Sequence, residues 1–351
     1  MSIRVGMIGA GAIANDHCHN INRYKGAEVT AVADLSRERG EDLKKNFPTI
    51  GKVYEQWKDL VANPDIDAVA IALPNALHAP VSLAAIRAGK HVLLDKPFAL
   101  NYREAKEVVA AAKKNRRVLM LGMNQRYRED AQMMRAIVAR GELGEIYHAK
   151  AFWYRRMGSP KFGTWFVNKK LSGGGCMLDI GVHFLDLALF LVDNWKPASV
   201  SGKVYTKFGN RGIGEGGWGK SDRNKKLVFD VDDFATALIK FRNDMTLELN
   251  ISWVIHQEQK DRNNVQLFGT DAGAELAPLK LFRQSAKPGE YEVVAPQNVK
   301  IPHRFENRQF NWLDAIIGKD KPLCTVEQSL VVQKILDGIY ASSASGREVR
   351  L

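Results

Sequence analysis

The chain is poor in cysteine and has no long uninterrupted hydrophobic run. Its 351 residues include three cysteines, Cys18, Cys176 and Cys324, which are widely spaced and form no C-x-x-C pair. This pattern excludes a disulfide framework and favours free thiols in a reducing compartment. No stretch approaches the roughly 18 consecutive apolar residues of a membrane span, and the N-terminus lacks the apolar run and cleavage site of a signal peptide. We therefore expect a cytoplasmic protein without a membrane partner.

Acidic residues are also fewer than basic residues. The chain has 39 acidic and 51 basic residues, and its formal net charge is +12. Such an excess can mark a nucleic-acid-binding protein, whose affinity would fall steeply with salt. Here the excess is spread along the chain, and its densest cluster, at 113–117, ends a predicted helix, where cations complement the helix dipole. We expect no nucleic-acid partner, and a negatively charged small ligand stays open as an explanation of the charge.

The length, with 45% hydrophobic and 26% charged residues, predicts two globular domains. Strand-like and helix-like segments alternate over residues 1–122, which predicts an α/β domain with a parallel, doubly wound sheet. Its predicted strands lie at 3–8, 27–33, 67–73, 91–94 and 118–121.

The first predicted strand leads directly into the segment GAGAIA at 9–14, a G-x-G-x-x-A pattern that opens a helix. Gly9 permits the tight turn, and Gly11 lets the backbone approach a pyrophosphate at the helix N-terminus. Asp34 ends the second strand 23 residues after Gly11, where a ribose-binding carboxylate is expected. Because a carboxylate repels a 2′-phosphate, Asp34 favours NAD, although one of two arginines that follow it leaves NADP possible.

In a doubly wound sheet the ligand crevice lies at the carboxyl ends of the strands. Three unusual segments fall there: LPNALH at 73–78, DKP at 95–97 and GMNQRY at 122–127. Within DKP, the rigid proline that follows Lys96 points to a positioned amine rather than to an ordinary surface lysine. The predicted cofactor-binding residues are Gly9, Gly11, Ala12, Ile13, Asp34, Leu73, Pro74, Asn75, His78, Asp95, Lys96 and Gln125.

Residues 123–351 predict a second, α+β domain with a large open, mostly antiparallel sheet. We expect it to bind the substrate and, because a broad sheet needs its outer face covered, to form a homodimer or homotetramer. A glycine-rich segment at 209–224 predicts a long loop, either a lid or a subunit contact through Trp218. The predicted strands lie at 145–155, 199–208, 226–241, 245–255 and 264–268, and the predicted helices at 131–140, 306–317 and 326–342, the last expected to pack back on the first domain.

A polar pair interrupts the most apolar segment of the chain, GGGCMLDIGVHFLDLALF at 173–190, which predicts one long buried helix. Asp179 and His183 are four residues apart and so share a face, which Asp186 extends. Because an unpaired buried carboxylate is costly, this stripe must face a partner, a metal or a ligand cavity. A structural Asp–His pair would fit the pattern equally well. No second histidine or cysteine lies at ligand spacing beside His183, so we expect no metal.

Together, the G-x-G-x-x-A turn, the DKP tripeptide, the segment 122–127 and GGCMLDIGVH at 174–183 resemble the Gfo/Idh/MocA oxidoreductases. The resemblance covers essentially the whole chain. It implies a Rossmann domain followed by an open, mostly antiparallel sheet domain, and NAD(P)-dependent oxidation or reduction of a sugar or cyclitol hydroxyl. It also implies that Lys96, Asp179 and His183 are the catalytic residues. The chain departs from the family at Asp95, where a glutamate one methylene longer is usual, and at Ala14, which replaces a glycine.

This chemistry needs a proton to leave the hydroxyl as the hydride leaves the carbon. We predict His183 as general base, Lys96 as the group that stabilises the developing negative charge, and Asp179 as the group that orients substrate or His183. Two other enzyme or scaffold functions stay open: a lyase or glycosidase that uses NAD transiently, and a non-catalytic regulator that senses sugars or nucleotides. The predicted substrate-binding residues are Lys96, Arg126, Tyr154, Trp165, Asp179 and His183.

Overall fold

The computed structural model describes residues 2–216, 228–285, 287, 289–301 and 303–351, in two compact units. The first unit comprises Met1–Met123 and Phe305–Gln333, and the second comprises Asn124–Arg304 and Lys334–Leu351. The second stretch of the chain is therefore not one continuous domain from 123 to 351, because Phe305–Gln333 contributes to the first unit. Trp218 and the rest of the segment 217–224 lie outside the described residues.

The first unit contains a six-stranded parallel sheet in the order β3-β2-β1-β4-β5-β6. All four residues of its fourth strand are buried, as expected of a strand covered on both faces. The predicted alternation of strands and helices is confirmed, and the sequence interpretation missed one strand of three residues, β3. The strands are β1 (Ile3–Ile8), β2 (Ala27–Ala33), β3 (Lys52–Tyr54), β4 (Ala68–Ile71), β5 (His91–Leu94) and β6 (Leu119–Leu121).

Helices α1 to α5 connect these strands, and local side chains fix where some of them begin. The Asn101 side chain accepts a hydrogen bond from the Glu104 N–H at 3.0 Å and donates one to Oε1 of Glu104 at 2.8 Å, so Asn101 caps the N-terminus of the helix that follows. The helices are α1 (Ala14–Arg23), α2 (Arg37–Asn46), α3 (Trp57–Ala62), α4 (His78–Arg87) and α5 (Tyr102–Asn115).

The second unit contains a nine-stranded sheet in the order β14-β13-β12-β11-β7-β10-β9-β8-β15. Neighbouring strands are antiparallel except for β7 and β10, which are parallel, so the predicted mostly antiparallel sheet is confirmed. The strands are β7 (Ile146–Arg155), β8 (Pro197–Tyr205), β9 (Phe234–Phe241), β10 (Thr246–Ser252), β11 (Asp261–Gly269), β12 (Ala272–Glu275), β13 (Lys280–Gln284), β14 (Tyr291–Val294) and β15 (Val349–Arg350).

Of the predicted strand at 226–241, residues 226–227 lie outside the described residues, and the prediction is wrong for 228–233, because β9 begins only at Phe234. Two consecutive carboxylates explain the late start. Asp232 accepts hydrogen bonds from backbone N–H groups of another segment, and Asp233 accepts them from the backbone of residues 207–209 at 2.6 to 3.0 Å. These side-chain contacts hold the stretch before Phe234 in an irregular conformation rather than in a regular strand.

The predicted helix at 173–190 begins only after the three glycines and is not a regular α-helix throughout, because it opens with a π-helical turn (Met177–Gly181) and continues as α8 (Val182–Val192). A separate short helix, α7 (Lys169–Ser172), precedes the glycines. Among the described residues, the segment Lys169–Val192 is long and apolar enough to cross a membrane, with an 18-residue window of mean hydropathy 1.8, but 83% of that window is buried inside the protein. That burial is typical of a core helix. The remaining helices are α6 (Glu129–Ala139), α9 (Arg308–Ile316) and α10 (Val326–Ser345).

Candidate functional site

The glycine turn after β1 leaves space for a ligand at one glycine and not at the other. A Cβ at Gly9, whose φ is +98°, would clash with the carbonyl oxygen of Ala72. A Cβ at Gly11 would meet nothing within 4 Å. The residue before α1, Ile13, makes no side-chain cap hydrogen bond. A bare helix N-terminus beside open space fits a pyrophosphate, so the turn fits the predicted dinucleotide.

Asp34, at the end of β2, ties that turn to the sheet. Its Oδ2 accepts a hydrogen bond from the Ala10 N–H at 2.8 Å, and its Oδ1 accepts from the Ser36 N–H at 2.8 Å. The guanidinium of Arg39 donates to the same Oδ1 at 2.9 Å. The Asp34 carboxylate therefore holds the glycine turn in place. Among the described contacts it also forms an ion pair with one cationic side chain, that of Arg39.

His78, expected to contact the cofactor, instead bridges two strand ends. Its Nδ1 lies 2.6 Å from the Pro97 carbonyl oxygen, and its Nε2 lies 2.9 Å from the Leu73 carbonyl oxygen. Burial lowers the pKa of His78, an effect that these two carbonyls partly offset. Because both ring nitrogens of His78 contact backbone carbonyl oxygens, they are not placed to make the expected contact with the cofactor.

Asp95, which follows β5, is bound on one side by buried basic groups. Its Oδ1 lies 3.1 Å from Nε2 of His17 and 3.9 Å from Nη1 of Arg308. Burial alone would raise the pKa of Asp95, but His17 and Arg308 outweigh it and hold that pKa well below its usual range. The carboxylate is thus ionised and anchored, and the next residue, Lys96, stands half-buried at the carboxyl end of β5.

In the second unit, every residue from Gly174 to Leu191 is buried except Asp179 and His183. The π-helical turn at Met177–Gly181 carries Asp179, and α8 carries His183 in its first turn. Such wide turns often occur at functional sites. Asp186 does not extend this polar pair as expected, because it is itself fully buried.

The buried partner of Asp186 is Arg126. Nε of Arg126 donates to Oδ2 of Asp186 at 2.8 Å, and Nη2 donates to Oδ1 at 2.6 Å. The Arg126 side chain has no exposed surface and its guanidinium also lies 5.3 Å and 5.0 Å from the rings of Phe190 and Trp195. Arg126 is therefore not placed for the expected contact with the substrate. To reach a substrate it would have to leave a buried ion pair, and breaking such a pair is costly.

Asp232 fixes the start of the segment that carries the polar pair. Its carboxylate accepts hydrogen bonds from the N–H groups of Gly175 at 2.7 Å and Met177 at 2.9 Å, and from the Tyr340 hydroxyl at 2.8 Å. A Cβ at Gly175 would clash with the Asp232 carbonyl oxygen. The glycine at this position therefore permits the close approach of the Asp232 backbone.

Trp253 is a site residue that the sequence interpretation missed. Its Nε1 donates a hydrogen bond to Oδ2 of Asp179 at 3.0 Å, and its side chain is fully buried. It comes directly after β10, 74 residues beyond Asp179, so no local spacing connects the two. The only available signal was a tryptophan at the end of a strand-like run, a residue whose N–H usually finds a partner when buried.

Tyr154 lies on the sheet face opposite α8. Along β7, Trp153 points towards the helix, with its ring 5.1 Å from that of Phe184, whereas Tyr154 stacks on Phe152 at 5.5 Å on the other face. Because successive strand residues alternate between faces, the expected substrate contact of Tyr154 beside the polar pair does not fit. Trp165 stacks on the neighbouring Phe166 at 3.8 Å, and Oε1 of Gln125 accepts a hydrogen bond from Arg128 at 3.1 Å.

Metal-ligating side chains do not gather in the part of the chain that the structure describes. Within these residues no group of three or more histidines, cysteines, aspartates or glutamates is placed to hold a metal ion.

The doubly wound sheet and its glycine turn define a dinucleotide-binding protein. Residues 3–123 match the oxidoreductase family with an NAD-binding Rossmann fold, and residues 131–275 match the GFO/IDH/MocA C-terminal domain. The chain therefore belongs to the GFO/IDH/MocA family of oxidoreductases. This confirms the resemblance drawn from the motifs, together with the NAD cofactor.

Similar proteins cover the chain from end to end. It is 29% identical to the D-glucoside 3-dehydrogenase of Escherichia coli (strain K12), over 99% of this chain and 97% of that protein. It is 30% identical to the uncharacterised oxidoreductase YrbE of Bacillus subtilis (strain 168), over 99% of this chain and 96% of that protein. Among solved structures, a levoglucosan dehydrogenase in complex with NADH shares the fold with a TM-score of 0.84, at 21% identity, over 100% of this chain and 99% of the other.

The two glycines of the turn should respond differently to substitution. We expect Gly11→Val to leave the melting temperature nearly unchanged, because the space it fills is empty of protein. The same side chain should obstruct the pyrophosphate and weaken NAD binding by about tenfold or more, which corresponds to a loss of about 1.4 kcal/mol. Titration of NAD by fluorescence or calorimetry measures this change.

The matched control is Gly9→Ala, in which the clash with Ala72 and the positive φ act on the protein itself. This variant should lower the melting temperature whether or not NAD is present. An unchanged NAD affinity in Gly11→Val would contradict the placement of the pyrophosphate at this turn.

Proposed function

We propose that this NAD-dependent oxidoreductase transfers a hydride between the nicotinamide and a hydroxyl-bearing carbon of a sugar, cyclitol or sugar derivative. The observation that carries the proposal is that Asp179 and His183 are the two partly exposed side chains of an otherwise buried segment. The full-length similarity to a protein named D-glucoside 3-dehydrogenase supports the substrate class.

Three side chains perform the proposed proton chemistry. His183 takes the hydroxyl proton as general base, because imidazole titrates close to neutral pH. Lys96 donates to the reacting oxygen and stabilises the negative charge that develops there. Asp179, held by Trp253, orients the substrate or the His183 ring. Bound NAD supplies the hydride acceptor, or the donor when a carbonyl is reduced.

The two units divide the binding tasks in this proposal. The first unit binds NAD through the turn Gly9 to Ile13, through Asp34, and through the segments after β4 and β5. Apart from Lys96, the proposed substrate contacts belong to the second unit. The further proposed cofactor contacts are Leu73, Pro74, Asn75, Asp95, Lys96 and Gln125, and the further proposed substrate contact is Trp165.

We propose a cytoplasmic location, because Cys18, Cys176 and Cys324 are all buried free thiols, as is usual in a reducing compartment. Recovery of the protein in the cytoplasmic fraction of its cells would agree with this assignment, and recovery outside it would refute the assignment.

We expect His183→Ala to lower kcat by about two orders of magnitude or more, the usual contribution of a general base, while NAD affinity stays nearly unchanged. The measurement is NADH absorbance in a screen of sugars, inositols and sugar acids, followed by steady-state kinetics on the best substrate. His19→Ala, which removes an exposed histidine from α1, is the control and should keep wild-type turnover.

Three results would contradict parts of this proposal. Turnover retained in His183→Ala would reject His183 as the general base, and wild-type protein that converts a sugar with no net NADH formation would favour the lyase or glycosidase function. Binding of a sugar without any turnover would favour the regulator.

The environment of Asp34 predicts a preference for NAD over NADP. A 2′-phosphate would meet the Asp34 carboxylate, and Arg39, which would otherwise receive that phosphate, is already held by the same carboxylate. We expect kcat/KM for NAD to exceed that for NADP by about tenfold or more, one well-placed charge interaction being worth over 1.4 kcal/mol. Asp34→Asn should narrow the ratio, and a wild-type preference for NADP would refute the assignment.

We propose a homodimer or homotetramer that covers the outer face of the nine-stranded sheet. That face carries apolar side chains, including Phe152, Leu238 and Tyr205, of which the last two are more than a third exposed. Leu238→Glu should shift the mass measured by light scattering towards the monomer. Ile317→Glu, an equally drastic change at an exposed residue that follows α9, is the control. A monomeric wild-type protein at micromolar concentration would reject the proposal.

A further inference from the structure

A buried polar network lies around Asp95, and the function proposed above gives His17, Arg308 and Gln309 no task. His17, in α1, has no exposed surface, and its Nε2 lies 3.1 Å from Oδ1 of Asp95. Arg308, at the start of α9, donates from Nη1 to the Gly122 carbonyl oxygen at 3.2 Å and from Nη2 to Asp16 at 2.8 Å. The network joins α1, the end of β5, the end of β6 and α9 within the first unit.

The contacts of Gln309 determine which nitrogen of His17 carries the proton. Nε2 of Gln309 donates to the Asp16 carboxylate at 3.0 Å, and a carboxylate accepts hydrogen bonds only, so the amide nitrogen is correctly placed there. The same nitrogen lies 3.2 Å from Nδ1 of His17. Nδ1 therefore accepts, and Nε2 carries the hydrogen and donates it to Asp95.

The carboxylate of Asp95 also fits a narrow space. A Cβ at Gly122 would lie 3.1 Å from Oδ1 of Asp95 and 3.3 Å from the Arg308 side chain. Asp95 and Arg308 thus pack closely against Gly122, where a residue with a side chain would crowd both of them.

The residue after Lys96 is anchored as well. The Pro97 carbonyl oxygen lies 2.6 Å from Nδ1 of His78, whose other ring nitrogen reaches Leu73. Lys96 thus projects from a turn that is fixed on both sides, at the Asp95 side chain and at the Pro97 carbonyl. A long, flexible lysine side chain gains a defined direction only if the backbone that carries it is held.

We propose that His17 is a positioning residue that acts through Asp95 on Lys96: its Nε2–H fixes the carboxylate, and the fixed carboxylate fixes the turn from which the Lys96 amine projects. The inference rests on the proposed function, in which Lys96 stabilises the reacting oxygen. His17 touches neither the substrate nor the cofactor in this scheme. Its effect should therefore appear in kcat rather than in NAD affinity.

The test compares His17→Leu, which removes the donor, with His17→Gln, whose amide nitrogen can take the place of Nε2. We expect His17→Leu to lower kcat about ten- to a hundredfold, since a misplacement of about 1 Å costs that much, with NAD affinity within about twofold of wild type. His17→Gln should restore kcat to within about threefold. His91→Leu, at the opposite end of β5 from Lys96, is the matched control and should keep kcat.

A second measurement separates positioning from a general structural defect. In a Lys96→Ala background, His17→Leu should lower kcat no further, because its effect passes through the lysine. A purely structural defect would lower kcat again by the same factor. Should His17→Leu fail to fold, His17→Asn, which stays polar but is too short to reach Asp95, takes its place in the same cycle.

The outcomes distinguish this inference from the function on which it rests. Unchanged kcat in His17→Leu, equal losses in the leucine and glutamine variants, or additive losses with Lys96→Ala would overturn the positioning role alone. Wild-type protein without sugar turnover, or Lys96→Ala with unchanged kcat, would overturn the proposed function instead.

Discussion

One buried carboxylate, that of Asp232, determines how the second unit presents its polar pair. It gathers the N–H groups of Gly175 and Met177 and the hydroxyl of Tyr340 at the start of the helical segment. A negative charge at a helix N-terminus is stabilising, and burial together with this charge raises the pKa of Tyr340, so that the phenol stays a donor. With its start so fixed, the segment turns Asp179 and His183 outwards while all its other side chains from Gly174 to Leu191 are buried.

In the first unit, a network of side chains rather than a single group holds the site residues in place. Asp34 holds the glycine turn, His78 joins the ends of β4 and β5, and His17 and Arg308 hold Asp95. Each of these side chains forms hydrogen bonds or ion pairs within the protein. They lie at the carboxyl ends of the strands, where a dinucleotide-binding fold binds its ligand. Rigid surroundings of this kind are what a site needs if its reactive groups are to keep their direction.

Patterns with a local physical cause were predictable from the sequence. The strand–turn–helix of the glycine motif and the spacing of Asp179 and His183 each depend on residues close together in the chain. The failures have the opposite origin. Trp253, the partner of Asp179, and Arg126, the partner of Asp186, are 74 and 60 residues away from them, and no periodicity connects such pairs. The late start of β9 likewise follows from contacts that Asp232 and Asp233 make with distant backbone.

The return of Phe305–Gln333 to the first unit has a consequence for how the protein is made. Synthesis proceeds from the N-terminus, and domains generally fold as they emerge. The nucleotide-binding sheet emerges first, yet the Arg308 and Gln309 side chains that complete the contacts of Asp16, His17 and Asp95 arrive only after strands β7 to β14 have been synthesised. The first unit is therefore the first to begin synthesis, yet it is among the last to complete its contacts.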